Sequence, residues 1–228
     1  LYDYFMDRPG YDALPGTAIS IPSALMTSWD SVYVPRIVSA LLFRPLKTKQ
    51  LMTTSKAPYD PADTNTIGVT SLGLLWYNVF GTNDATTKLG GQPYDNHDRK
   101  YKGSSNDNTL NRRVKHYTAS PAALTEIATK YETSGALSIP LVTMHTSGDP
   151  IVPVWHQSLY GAKVLAQNPL APYSSTTINR YGHCSFTLSE IQTSFGQLVF
   201  MVTGVLPPVV PLAPEAGEST GAYMYDYR

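Results

Sequence analysis

Two residues of this chain are placed where an acid–base pair could be built. Asp149 lies in "HTSGDPIVP", held between Gly148 and Pro150 directly after the apolar run "IPLVTM". His183 lies in "RYGHCSF", directly after "STTINRY". Both preceding runs read as strands, so each polar residue falls at a strand's carboxyl end, where ligands and catalytic groups collect in open parallel sheets. An imidazole that is to accept a proton needs a carboxylate on its Nδ1–H, which fixes the tautomer and stabilises the imidazolium. An aspartate and a histidine from adjacent strand ends supply that pair. Gly148 and Pro150 would hold the aspartate in a tight turn, and Gly182 lets the backbone carry His183 close to its partner. The same residues also admit a structural reading, a turn-capping aspartate and a satisfied histidine, because aspartate is common in turns.

The elements that must position the pair follow the rhythm strand, loop, helix, strand, loop, helix. "SIPLVTMHT" is nearly all apolar, as expected of a parallel strand covered on both faces. "VWHQSLYGAKVLAQN" has helical spacing in Val154, Leu159, Ala162, Val164 and Leu165, and "STTINRYG" is rich in β-branched residues. "TLSEIQTSFGQLVFMVTG" opens with Thr187 and Glu190 at capping-box spacing and ends at Gly204. Residues 33 to 134 read mostly as helices. One starts near Pro35, with Ile37, Val38, Leu41 and Leu42 on one face, and stops at Pro45; another runs through "NTIGVTSLGLLWYNVFG" to Gly81. The polar stretch from Thr82 to Asn108 reads as a long loop, and the next helix starts at Ser120 and Pro121 and closes on Gly135. Residues 1 to 32 are aromatic and turn-rich and read as a surface wrap; residues 205 to 228 form a Pro-rich tail.

"PLVTMHTSGDPIVPVWHQSLYGAKV" followed by "INRYGHCSFTLSEI" resembles the C-terminal part of an α/β-hydrolase, over residues 135 to 204. In that family the triad acid sits in a Gly-Asp turn followed by "PIVP"-like residues, and the histidine in a Gly-His loop before the last helix. The resemblance implies an α/β fold: the C-terminal part of a hydrolase's parallel sheet, preceded by a mainly helical cap over residues 33 to 134. It implies a serine hydrolase, with Asp149 and His183 catalytic and carboxylic esters favoured as small-molecule substrates. A peptidase or amidase of the same fold is the alternative, as is a binding or scaffold protein that keeps the fold without a nucleophile. No cofactor is implied.

The family's nucleophile is a serine in a G-x-S-x-G elbow between a strand and a helix, and this sequence has no such motif. Ser71, in "GVTSLGLL", has Gly73 after it but Val69 before it, in helical context. Ser147 and Ser185 lie beside the acid and the histidine as turn partners. The early strands and oxyanion loop are absent as well, so the serine is expected on an N-terminal half of the enzyme, on the same polypeptide or a companion chain. The chain opens at Leu1 without methionine, consistent with a piece of a longer polypeptide.

Trp155 and His156, on the helix after Asp149, are the candidate substrate-binding residues; a capping histidine and a packed aromatic are the alternatives. His145 at the strand end is ambiguous. No H-E-x-x-H or paired-ligand spacing supports a catalytic metal, and "YDNHDRKYKGSSNDN" lacks the regular spacing of a calcium loop. Cys184 reads as a small packed residue. Lys+Arg and Asp+Glu balance at 17 each, which leaves no broad field to draw the protein onto nucleic acid or an anionic membrane. "NRRVKH" at 111 to 116 reads as a solvated helix face. No apolar run reaches the length of a membrane span. Abundant Tyr, Ser and Thr with few lysines point toward a secreted or periplasmic location.

Overall fold

A computed structural model of the chain describes residues 1–6 and 27–207. Its helical part begins with α1 (Tyr2–Met6) and, after a π-helical turn at Trp29–Tyr33, continues into α2 (Val34–Phe43). Pro35 lies in the first turn of α2, where a missing N–H leaves no bond unmade. Ile37, Ala40 and Leu41 form its buried face. The face expected from sequence is rotated, because Leu42 and Phe43 point to solvent, 73% and 79% exposed. The helix stops before Pro45, as expected. The break is at Arg44 (φ −131°, ψ 59°), and Pro45 opens α3 (Pro45–Ser55).

A second difference concerns the stretch after Gly81, expected as loop. α4 (Thr66–Trp76) runs through a π-helical turn at Tyr77–Gly81 directly into α5 (Thr82–Leu89). Gly81 keeps right-handed helical angles (φ −64°, ψ −38°), so it ends nothing; the left-handed glycine that terminates the helix is Gly90 at φ 71°. The loop therefore starts at residue 90, and it too is interrupted, by α6 (Asp107–Arg113), whose cap Asn106 accepts the N–H of Thr109. The chain turns extended at Val114, so only the first half of "NRRVKH" is helical. α7 (Pro121–Lys130) starts at the expected Ser120–Pro121, and Gly135 lies beyond its end.

The hydrophobic core belongs to this helical part. Tyr2, Phe5, Met6, Trp29, Ile37, Leu41, Leu51, Val79, Phe80 and Leu110 pack together, with Trp29 and Trp76 both meeting the Phe80 ring edge-on at 5.3 and 5.2 Å. The described ends of the first segment thus enter the core, where a surface wrap was expected: their aromatic rings bury more apolar area than a surface position would allow. The rest of that segment, and the tail from residue 208, lie outside the described residues.

The remaining elements are β1 (Leu141–Gly148), α8 (Trp155–Gln167), β2 (Tyr173–Tyr181) and α9 (Leu188–Thr203). The two strands pair in parallel from Leu141↔Tyr173 to Thr146↔Ile178, then shift register so that Gly148 faces Tyr181. Side chains alternate between the faces of a strand, and the helices use opposite ones. The α9 side chains Ser194 and Gln197 reach Met144 and Ser174, whereas Gln157 of α8 bonds Thr143 and Thr177. Among the described residues the sheet has these two strands, so the outer edges of both are unpaired. The strands are half-buried rather than enclosed, and α9 leaves Ile191, Phe195 and Phe200 exposed. A mixed helix and strand architecture with a small parallel sheet is compatible with the α/β class. No described helix is long and apolar enough to cross a membrane.

Candidate active site

Strand β1 delivers Asp149 into a turn where both of its carboxylate oxygens are used. Oδ1 accepts the backbone N–H groups of Ile151 and Val152 at 2.8 and 2.9 Å. Oδ2 accepts from Nδ1 of His183 at 2.8 Å. The residue is only 4% exposed, and both of its oxygens meet donors inside the fold. Asp149 thus caps its own turn with one oxygen and meets His183 with the other.

His183 reaches the acid because the strand ends are tied together. Gly182 donates its N–H to the carbonyl of Gly148 at 3.2 Å, and the hydroxyl of Thr146, fully buried, donates to the carbonyl of Gly182. Gly182 sits at φ 117°, a conformation that favours glycine. At Gly148 a Cβ would lie 3.0 Å from the Cα of Tyr181, so any side chain there would push the strand ends apart by a few tenths of an ångström. With Nδ1 donating to Asp149, the lone pair of the neutral ring is on Nε2, and the side chain is about one third exposed. The arrangement is a carboxylate-oriented imidazole with its basic nitrogen turned away from the carboxylate.

A second set of bonds fixes the loop from below. Arg180, near the end of β2, pairs with Glu190 in the first turn of α9 through two contacts at 2.9 and 3.0 Å, and also donates to the carbonyl of Ser185. Glu190 accepts the N–H of Thr187 while Thr187 Oγ1 accepts the N–H of Glu190, the capping box expected from sequence. The Arg180 guanidinium holds the Glu190 carboxyl below its usual value, aided by the Thr187 N–H. Residues 182–187 are thus bracketed at both ends. Arg180 gave no sign of this role in the sequence, since the pairing depends on the strand and the helix meeting.

The helical part reaches the site through α4. Thr70 is fully buried; its hydroxyl bonds the carbonyl of Pro58 and lies 2.9 Å from the Tyr181 phenol, which also donates to the carbonyl of Thr66 at 3.4 Å. Burial pushes the Tyr181 phenol above its ordinary value, opposed by the bond to Thr70. A Cβ on Gly73 would stand 3.5 Å from Ile151 Cδ1, which places α4 against the Asp149 turn.

His145 has its Nδ1 2.8 Å from its neighbour's carbonyl and its Nε2 4.0 Å from Asp149 Oδ2, so a second imidazole flanks the acid. Trp155 and His156 open α8 with their rings 6.1 Å apart. His156 lines a shallow depression with Glu132, Tyr160 and Lys163, which contains neither Asp149 nor His183. Ser71 is buried in α4 with its hydroxyl on Met52 Sδ at 3.9 Å. Ser147 bonds Asn179 at the surface. Cys184 is exposed, with Sγ 3.6 Å from Nε2 of His183. In the polar loop, Asp95 accepts the N–H groups of Ala119 and His97, and Asp107 accepts from Ser104 and Gly103, which lowers both carboxyls below their usual value. Those carboxylates organise the loop itself.

No protein-family model, curated protein or solved structure matches the chain.

Proposed function

We propose that the chain supplies the acid and histidine of a hydrolase that transfers an acyl group from a carboxylic ester to water. The observation that carries the reading is the 2.8 Å contact between Asp149 Oδ2 and His183 Nδ1, with Nε2 left to take a proton. An imidazole oriented in this way is the base half of a nucleophilic triad. The sequence resemblance to the C-terminal part of α/β-hydrolases supports the same assignment.

In this reading His183 Nε2 removes the proton from a serine hydroxyl as its oxygen attacks the ester carbonyl, and then gives that proton to the departing alcohol. Water repeats the sequence on the acyl-enzyme. Asp149 holds the ring in register and stabilises the imidazolium while it exists. The serine and the oxyanion donors come from further polypeptide, either covalently continuous or a companion chain. Two features support this. Ser71 is buried in a helix, far in character from a strained elbow. Among the described residues the outer edge of β1 and the apolar side chains of α9 are open, as they would be if more of the sheet and its covering lay alongside. Trp155, half exposed at the start of α8, and His156 are the substrate-contacting candidates.

The test is hydrolysis of short-chain esters by the protein isolated with its natural partners. His183→Ala is expected to abolish turnover while the circular dichroism spectrum is retained. Undiminished turnover in a folded His183→Ala protein would end the proposal.

A further inference from the structure

Cys184 extends the Asp149–His183 pair into a chain of three groups. Its thiol lies 3.6 Å from Nε2 of His183, the nitrogen that the carboxylate leaves unprotonated. The residue adopts φ 49°, a left-handed conformation uncommon for a side chain of this size, and with that backbone the thiol of residue 184 meets the ring of residue 183. The thiol is exposed, so a molecule from solvent can approach it. An orienting carboxylate, a base and a nucleophile within reach of that base are the three parts of an activated nucleophile. Sequence reading treats Cys184 as a packed residue, and the hydrolase proposal leaves it without a role.

We propose that Cys184 is itself a nucleophile, activated by His183, that accepts the acyl group of a thioester or an activated ester. The proposal rests on the same pair as the hydrolase reading but needs no second polypeptide. Nε2 of His183 takes the thiol proton, and the thiolate sulfur attacks the carbonyl carbon. The carbon–oxygen or carbon–sulfur bond to the leaving group breaks. The leaving alcohol or thiol departs with the proton from the imidazolium, and a thioester remains on Cys184. Nothing is oxidised or reduced. Asp149 keeps Nδ1 protonated throughout, so Nε2 is the nitrogen that cycles.

The experiment treats the purified 228-residue chain with para-nitrophenyl acetate near neutral pH and locates acetyl groups by peptide mass mapping over time. The expected result is one fast acetylation at Cys184, about 10²-fold faster than in His183→Ala, with Asp149→Asn also slowed. The same reaction on the wild-type chain unfolded in urea gives the rate of an unassisted thiol, so the comparison stands even if a variant fails to fold. Acetylation of Cys184 no faster in the folded chain than in urea would overturn the proposal, as would an unchanged rate in folded His183→Ala. A fluorophosphonate probe, which takes activated serine hydroxyls, reads the hydrolase proposal separately. Serine labelling without fast acetylation of Cys184 keeps that reading and sinks this one, and the converse result does the reverse.

Discussion

One oxygen of Asp149 takes two backbone N–H groups of its own turn, and the other takes Nδ1 of His183 at 2.8 Å. The acid is held by the turn before it meets the histidine, so the pair does not depend on substrate to assemble. Asp149→Asn keeps the size of the side chain but offers an amide where Nδ1 needs an acceptor. In the proposed hydrolase, ester hydrolysis should fall by roughly 10⁴. Nitrogen-15 NMR of the neutral imidazole should show the proton on Nδ1 in the wild type and a changed tautomer ratio in the variant. Identical ratios would mean that the carboxylate does not choose the tautomer.

The loop that carries His183 is pinned at its far end by the α9 cap. Thr187→Ala removes the acceptor for the Glu190 N–H and should cost about 1 kcal/mol, read as a lower urea midpoint with an unchanged slope.

Gly182 occupies φ 117°, where a Cβ would also lie 3.0 Å from the Cβ of Ser185. Gly182→Ala should destabilise the fold by about 1–3 kcal/mol and displace His183. Thermal denaturation reads the first effect. The NMR signature of the Asp149–His183 bond reads the second, and should weaken together with stability.

Acid should loosen the His183 loop through Glu190, and the polar loop after α5 through Asp95 and Asp107. The Glu190 carboxyl is held below its ordinary value chiefly by Arg180, Asp95 by the Ala119 and His97 N–H groups, and Asp107 by Ser104. Each folded value is depressed. The stability these groups contribute is therefore fully present above the usual carboxylate range, roughly pH 4, and lost as pH falls through the lower folded values. The urea midpoint should hold between neutral pH and about pH 5 and decline below that. Glu190→Gln should shrink the decline, and a pH profile identical to wild type would show that the Arg180–Glu190 pair contributes nothing to it.

Much of the site could be read from the sequence because local signals specified it. Gly148-Asp149-Pro150 after an apolar run, Gly182-His183 after a β-branched run, and Thr187 with Glu190 each encode a conformation within a few residues. Arg180 and Thr146 were not legible, because their roles arise only when β1, β2 and α9 come together. Cys184 was misjudged for a similar reason: its contact with Nε2 follows from a left-handed backbone angle that its residue type does not suggest. In the helical part, Gly81 looked like a terminator, yet packing of Val79 and Phe80 in the core holds the chain helical through it. The rotated face of α2 has the same origin, since Ala40 faces a core partly built by Tyr2, Phe5 and Met6 from the far amino end.

In the proposed function Asp149 and His183 activate a serine carried by other polypeptide. Fluorophosphonate labelling of the protein with its natural partners, resolved by mass, tests it most directly. A labelled serine is expected on a species other than the 25.0 kDa chain, with labelling lost in His183→Ala. Absence of any labelled serine, or labelling that His183→Ala leaves unchanged, would contradict it.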